Sequence, residues 1–179
     1  MKRRSNTGWI VRVILLSVTL SVVFTLVSES VLSRAGTVTA FILLLAFIVI
    51  GVLTDMLGVA VTSAVERPFH SMASHNTVGA PQALRLLRNA ERVASVCNDV
   101  VGDIAGIVSG ATAAVICAHL VRDRSFSALI TQLVVTGAVA GLTIGGKAAG
   151  KASAINNSTE IVLAAGKVIA FFERIFHKK

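Results

Sequence analysis

Residues 93–120 read VASVCNDVVGDIAGIVSGATAAVICAHL. The stretch is long and apolar enough to cross a bilayer, which takes about 20 residues of helix. It also carries Asn98, Asp99 and Asp103. A charge at bilayer depth is costly, and such residues face protein or water rather than lipid. If this stretch spans, the chain is a helical membrane protein with a partly polar interior. If it does not, the chain is a soluble domain with an unusually apolar core.

Composition decides for the span. Of 179 residues, 54% are hydrophobic and only 15% are charged, where a soluble domain carries about a quarter charged residues. Mean hydropathy is +0.80. Three further runs, at 8–32, 37–63 and 127–150, reach spanning length. The predicted fold is therefore all-α: one membrane domain over 1–179, with spans at 8–32, 37–63, 93–120 and 127–150. The first run follows a basic start, as in a signal peptide, but no A-x-A site appears before VSESVLSR. It is expected to be a retained span.

The net charge of +8 does not point to nucleic acid. No Arg/Lys stripe with interleaved aromatics occurs, and the basic residues sit at segment ends. They act instead as topology determinants. With the N-terminus in the cytoplasm, that side receives Lys2, Arg3, Arg4, Arg12, Arg67, Arg85, Arg88, Arg92, Lys147, Lys151, Lys167, Arg174, Lys178 and Lys179. The other side keeps Arg34, Arg122 and Arg124. Both termini are expected in the cytoplasm, with the chain in the plasma membrane.

Two pieces between and after the spans are not expected to cross. APQALRLLRNAER (80–92) has Pro81 where a first helical turn tolerates it and alternates leucine with arginine, as a short surface helix would. Residues 157–177 form an amphipathic helix that opens on Asn157 and Glu160 at capping-box spacing. It is too charged to span comfortably and is read as interfacial; packing beneath the bundle is the alternative.

Helical phasing of about 100° per residue sorts the third span. Ser95, Asn98, Asp99, Gly102, Asp103, Gly106, Ser109 and Gly110 fall on one side, valines and isoleucines on the other. Glycines four residues apart (Gly102, Gly106, Gly110) let a second backbone come close, so this side is expected to face the protein. In the second span Gly51, Thr54, Asp55, Gly58 and Thr62 share a stripe. In the fourth, Gly137, Gly141 and Gly145 make a packing seam, and Gln132, Thr136, Thr143 and Lys147 a polar one.

The candidate constellation is Asp55, Asn98, Asp99 and Asp103, with Thr54, Thr62 and Ser63 as further oxygens and Lys147 and Lys151 as counter-charges. Oxygen ligands without imidazole or thiolate suit a hard cation such as Mg2+. The competing reading is structural: the acids pair with the lysines and lock helices together. Cys97 and Cys117 are too far apart on one helix to pair and are read as packing residues. No catalytic constellation stands out, since Ser63, Ser71 and Ser74 near His70 and His75 lack an acid or an oxyanion motif. An enzyme is not expected.

Three stretches carry a likeness. TDMLGVAVTSA (54–64), ALRLLRNAERVASVCNDVVGDIAGIVSGA (83–111) and GKAAGKASA (146–154) resemble, in order, motifs of the transmembrane module of the CorB/CorC/CNNM magnesium transport family. In the second stretch Ala90 stands where the family has the proline of P-E-R. In the third, Gly146, Lys151 and Ala154 match G-E-I-x-P-K-x-x-A, while Lys147 and Gly150 replace its glutamate and proline. The resemblance implies a membrane Mg2+ site of hydroxyl, amide and backbone oxygens, and a dimer. By position it carries over Asn98 and Thr62 or Ser63. The nucleotide-sensing domains of that family have no counterpart here. The expected function is binding or transport of a divalent cation by a homodimer in the lipid bilayer. The alternative is a non-transporting scaffold or accessory subunit.

Overall fold

The computed structural model describes residues 7–32, 36–123 and 127–176, and in these the chain is all-α. Helix α1 spans Thr7–Leu32, α2 Thr37–Ser63, α3 Glu66–Ser74, α4 Ala80–Arg88 and α5 Ala90–Ser95. A π-helical segment, Val96–Gly102, joins α5 to α6 (Asp103–Asp123); α7 (Ala128–Asn156) and α8 (Ser158–Phe176) follow. Four stretches, Thr7–Leu32, Thr37–Ser63, Ala90–Val121 and Ala128–Asn156, are long and apolar enough to cross a membrane. Of the basic residues counted for topology, Lys2, Arg3, Arg4, Arg34, Arg124, Lys178 and Lys179 lie outside the described residues.

The chain divides into two compact units, one of Met1–Val52 with Val100–Gly146, the other of Leu53–Asp99 with Lys147–Lys179. In the first, Val100, Ile104 and Val108 pack with Phe47, and Val13, Leu20 and Phe24 of α1 close over them. The Phe24 and Phe47 rings stand 5.6 Å apart. Ala40, Leu44 and Ile48 of α2 meet Ala113 and Ile116 of α6. A Cβ built on Gly51 would lie 3.4 Å from that of Ala105, so small residues set this approach. Buried Thr112 donates to the Val108 carbonyl at 2.8 Å, and its hydroxyl stands 3.3 Å from that of Ser28 on α1. The hydroxyls thus find partners in apolar surroundings, as burial requires.

The second unit is built round Phe69, Val162, Ala60, Val61, Ala83 and Ala154, all essentially inaccessible. Here two expectations need correction. The segment at 80–92 is not a helix lying on the surface: Ala80, Ala83, Leu84 and Leu87 of α4 are buried. Its register (Ala80, Ala83, Leu84, Leu87) is an apolar stripe at helical spacing, directed at α3 and α8. Helix α3 is an addition to the expected elements; its Phe69 is the plug of this core, with Met72 packed against it. The expected capping box is also absent, since Asn157 Nδ2 donates back to the Ser153 carbonyl at 3.2 Å.

Helix α8 docks on α4 through backbone proximity. Gly79 precedes α4 at φ +89°, and a Cβ there would stand 2.5 Å from the Lys167 amide nitrogen. A left-handed conformation this close to another backbone admits glycine alone. Gly166 makes the reciprocal approach, where a Cβ would lie 3.0 Å from the Ala83 nitrogen. At the far end Glu173 accepts from Gln82 Nε2 at 2.8 Å and from Arg85 Nη1 at 3.0 Å.

Candidate functional site

Within the second unit α2 presents Asp55, Gly58 and Ala60 as buried residues. Asp55 and Gly58 share the stripe that the sequence predicts, because α2 is a regular helix there. The Asp55 side chain is 6% exposed, and its Oδ2 stands 3.7 Å from Nζ of Lys151 on α7, a side chain 52% exposed. That distance permits charge attraction but exceeds hydrogen-bond range. Asp55 Oδ2 therefore has a charged partner and no hydrogen-bond donor.

Asn98, on the π-helical segment, approaches the same helix three residues further along. Its carboxamide lies against the bare backbone of Gly58: a Cβ at Gly58 would overlap Oδ1 and stand 2.7 Å from Cγ. Oδ1 of Asn98 is buried and lacks a donor as well. Two buried side-chain acceptor oxygens thus lack hydrogen bonds, one on Asp55 and one on the residue packed against Gly58 of the same helix. Leaving a buried acceptor unmet costs about 1–3 kcal/mol, so a cation at these oxygens would be stabilised.

The rest of the expected constellation is placed otherwise. Asp99 is exposed and accepts from Ser95 Oγ at 3.0 Å. Asp103 belongs to the first unit and is also exposed. The inward charged face predicted for the third span is corrected in both cases, for two physical reasons. First, the π-helical turn is wider than an α-turn, so phase counted at 100° per residue is lost between Asn98 and Asp103. Second, the buried arc of α6 is broad. It takes Ala105, Ser109 and Thr112 together with Ile104 and Val108, and leaves Asp103 and Gly110 on the opposite side.

Of the oxygens named as additional ligands, Thr62 is engaged within its own helix. Thr62 is exposed and its hydroxyl donates to the carbonyls of Gly58 (3.2 Å) and Val59 (2.9 Å) of its own helix. Ser63 is exposed and Thr54 half-buried. Lys147 is half-buried and makes no ion pair among the described residues. Of the six glycines expected to pack, Gly102 is buried. Gly106, Gly110, Gly137, Gly141 and Gly145 have no atom within 4 Å of a built Cβ. Among the described residues no group of three or more His, Cys, Asp or Glu could hold a metal ion. Of the four expected residues, Asp55 and Asn98 carry the buried oxygens without hydrogen bonds. Cys97 and Cys117 are free thiols.

The π-helical segment is the feature that sequence reasoning missed. Such turns cluster at functional sites, but VCNDVVG carries no proline or glycine pair to announce one. Comparison of the chain with protein-family models, curated proteins and solved structures finds no match.

Proposed function

We propose that this chain is an integral membrane protein that binds a hard cation, Mg2+ first among them, at Asp55 and Asn98. Lys151 serves as the tethered counter-charge when the ion is absent. The observation that carries this reading is the pair of buried oxygens, Asp55 Oδ2 and Asn98 Oδ1, that no donor satisfies. One carboxylate and one amide leave room for the waters that Mg2+ keeps. The resemblance to the CorB/CorC/CNNM module, which carries over Asn98, supports the same reading. Passage of the ion, a homodimer formed over the open glycine faces of α6 and α7, and cytoplasmic termini in the plasma membrane belong to the same reading.

The test is thermal unfolding of the purified full-length protein in detergent, with and without Mg2+. A ligand that binds only the folded state raises the midpoint. The expected result is a rise that Asp55→Asn abolishes. No rise in the wild type, or an equal rise in Asp55→Asn, overturns it.

One observation favours a second reading. Lys151 already stands beside Asp55 at 3.7 Å, and a pair with one buried member can fix how helices associate without any ligand. The chain would then be a scaffold or accessory subunit. In that case the swap Asp55→Lys with Lys151→Asp restores stability, and Mg2+ changes nothing.

A further inference from the structure

Helix α8 has two apolar faces. One carries Val162 and Gly166 and is buried in the second unit. Phased at about 100° per residue, Val168, Phe171, Phe172 and Ile175 fall on the opposite side. Their exposures are 56%, 63%, 53% and 53%. The two phenylalanine rings meet edge to face with centroids 6.0 Å apart. The same phasing puts Glu160, Lys167 and Arg174 along one border of this strip, all three exposed, with the two cations at the end that carries the phenylalanines. Glu173, the acid nearest the aromatic pair, is turned the other way and held by Gln82 and Arg85.

We propose that this outer face of α8 lies in the headgroup–acyl boundary of a bilayer, with Lys167 and Arg174 on anionic lipid headgroups. Charge and geometry choose this occupant. An apolar strip bordered by long cationic side chains is what an interfacial helix presents, the stems lying along the hydrocarbon and the charges reaching phosphate. Glu173 is engaged elsewhere, and Glu160, the other acid on that border, lies about three turns of helix before the aromatic pair, so beside the phenylalanines the border is cationic. The helix also follows the last spanning helix across a single residue, Asn157. This proposal is independent of the cation site, which uses neither α8 nor its outer face.

The experiment places a lone indole on the strip. Phe172→Trp, made with Trp9→Phe, is reconstituted as the full chain into vesicles of phosphatidylcholine and phosphatidylglycerol. The expected result is a blue-shifted emission, quenched strongly by lipids brominated near the headgroup and weakly by aqueous acrylamide. Strong acrylamide quenching would show a face in water. Protection from both quenchers would show a face covered by protein, a second copy included. Either result overturns the proposal. Lys167→Glu with Arg174→Glu should reduce bromolipid quenching when phosphatidylglycerol is present and leave it unchanged in pure phosphatidylcholine. The same reduction in both lipids would refute the headgroup contact. Trp placed at Val168 repeats the measurement should the first variant fold poorly.

Discussion

Lys151 Nζ stands 3.7 Å from Asp55 Oδ2, and the two members of the pair are unequally wet: the Asp55 side chain is 6% exposed and the Lys151 side chain 52%. The pair should therefore break asymmetrically. Lys151→Met strands a buried carboxylate, and stranding one member of a buried pair costs about 3–5 kcal/mol. Asp55→Asn strands only a lysine that can turn to water, and should cost about 1 kcal/mol. The double variant Asp55→Leu with Lys151→Met should regain most of the loss, since a well-packed apolar pair often matches an ionic one. Thermal midpoints in one detergent measure all three. Equal losses for the two single variants would contradict the asymmetry.

The same pair separates the cation reading from the scaffold reading. If Mg2+ competes with Lys151 for Asp55, Lys151→Met should gain more from Mg2+ than the wild type does. At a hundredfold excess over the dissociation constant, a folded-state ligand contributes about 2.7 kcal/mol. That corresponds to several degrees in a chain of this size, at roughly 2–4 °C per kcal/mol. Asp103→Asn and Asp99→Asn should leave the response intact, because both side chains are exposed. Loss of the response in either variant would return these acids to the site.

How much of this was legible beforehand depends on the element. The four long helices were legible because an apolar run of about 20 residues or more, bounded by polar breaks, has the length and apolarity that crossing a bilayer requires. The inward position of Asp55 was legible because α2 keeps the α-helical period through Asp55 and Gly58. Asp99 and Asp103 were misplaced because the period fails at Val96–Gly102, where no residue type announces the wider turn. The docking of α8 on α4 was hidden for another reason. It depends on backbone approach at Gly79 and Gly166, and a glycine in sequence does not say what comes near it.

Those glycines differ in what a methyl would strike. At Gly58 it meets the Asn98 carboxamide, a side chain able to shift. Gly58→Ala should cost about 1–3 kcal/mol, the usual penalty for overpacking. Adding Asn98→Ala should recover part of it, as coupled neighbours do. At Gly79 a methyl meets the Lys167 backbone from a left-handed conformation, where neither strain nor clash can relax, so Gly79→Ala should cost more. By contrast Gly141→Ala meets nothing within 4 Å and should leave the midpoint of the isolated chain unchanged or raised, since alanine favours helix. A larger loss at Gly58 than at Gly79 would mean that α8 does not dock on backbone.

The second unit should depend far more on Phe69 than on the polar clasp at Glu173. Arg85 and Glu173 are bonded at 3.0 Å, but their side chains are 71% and 39% exposed, and exposed pairs contribute about 0–1 kcal/mol. Glu173→Ala should therefore lower stability by no more than that, less in high salt, because ions screen exposed charges. Phe69 is fully buried among Ala83, Leu84 and Val162. Its truncation to alanine removes the largest side chain of this core and leaves a cavity, at a cost of about 3–5 kcal/mol. Limited proteolysis reads the difference locally. Cleavage at the segment after α2 should accelerate in Phe69→Ala and stay near the wild-type rate in Glu173→Ala. The reverse order would place the hold on α8 in its charges rather than in its core.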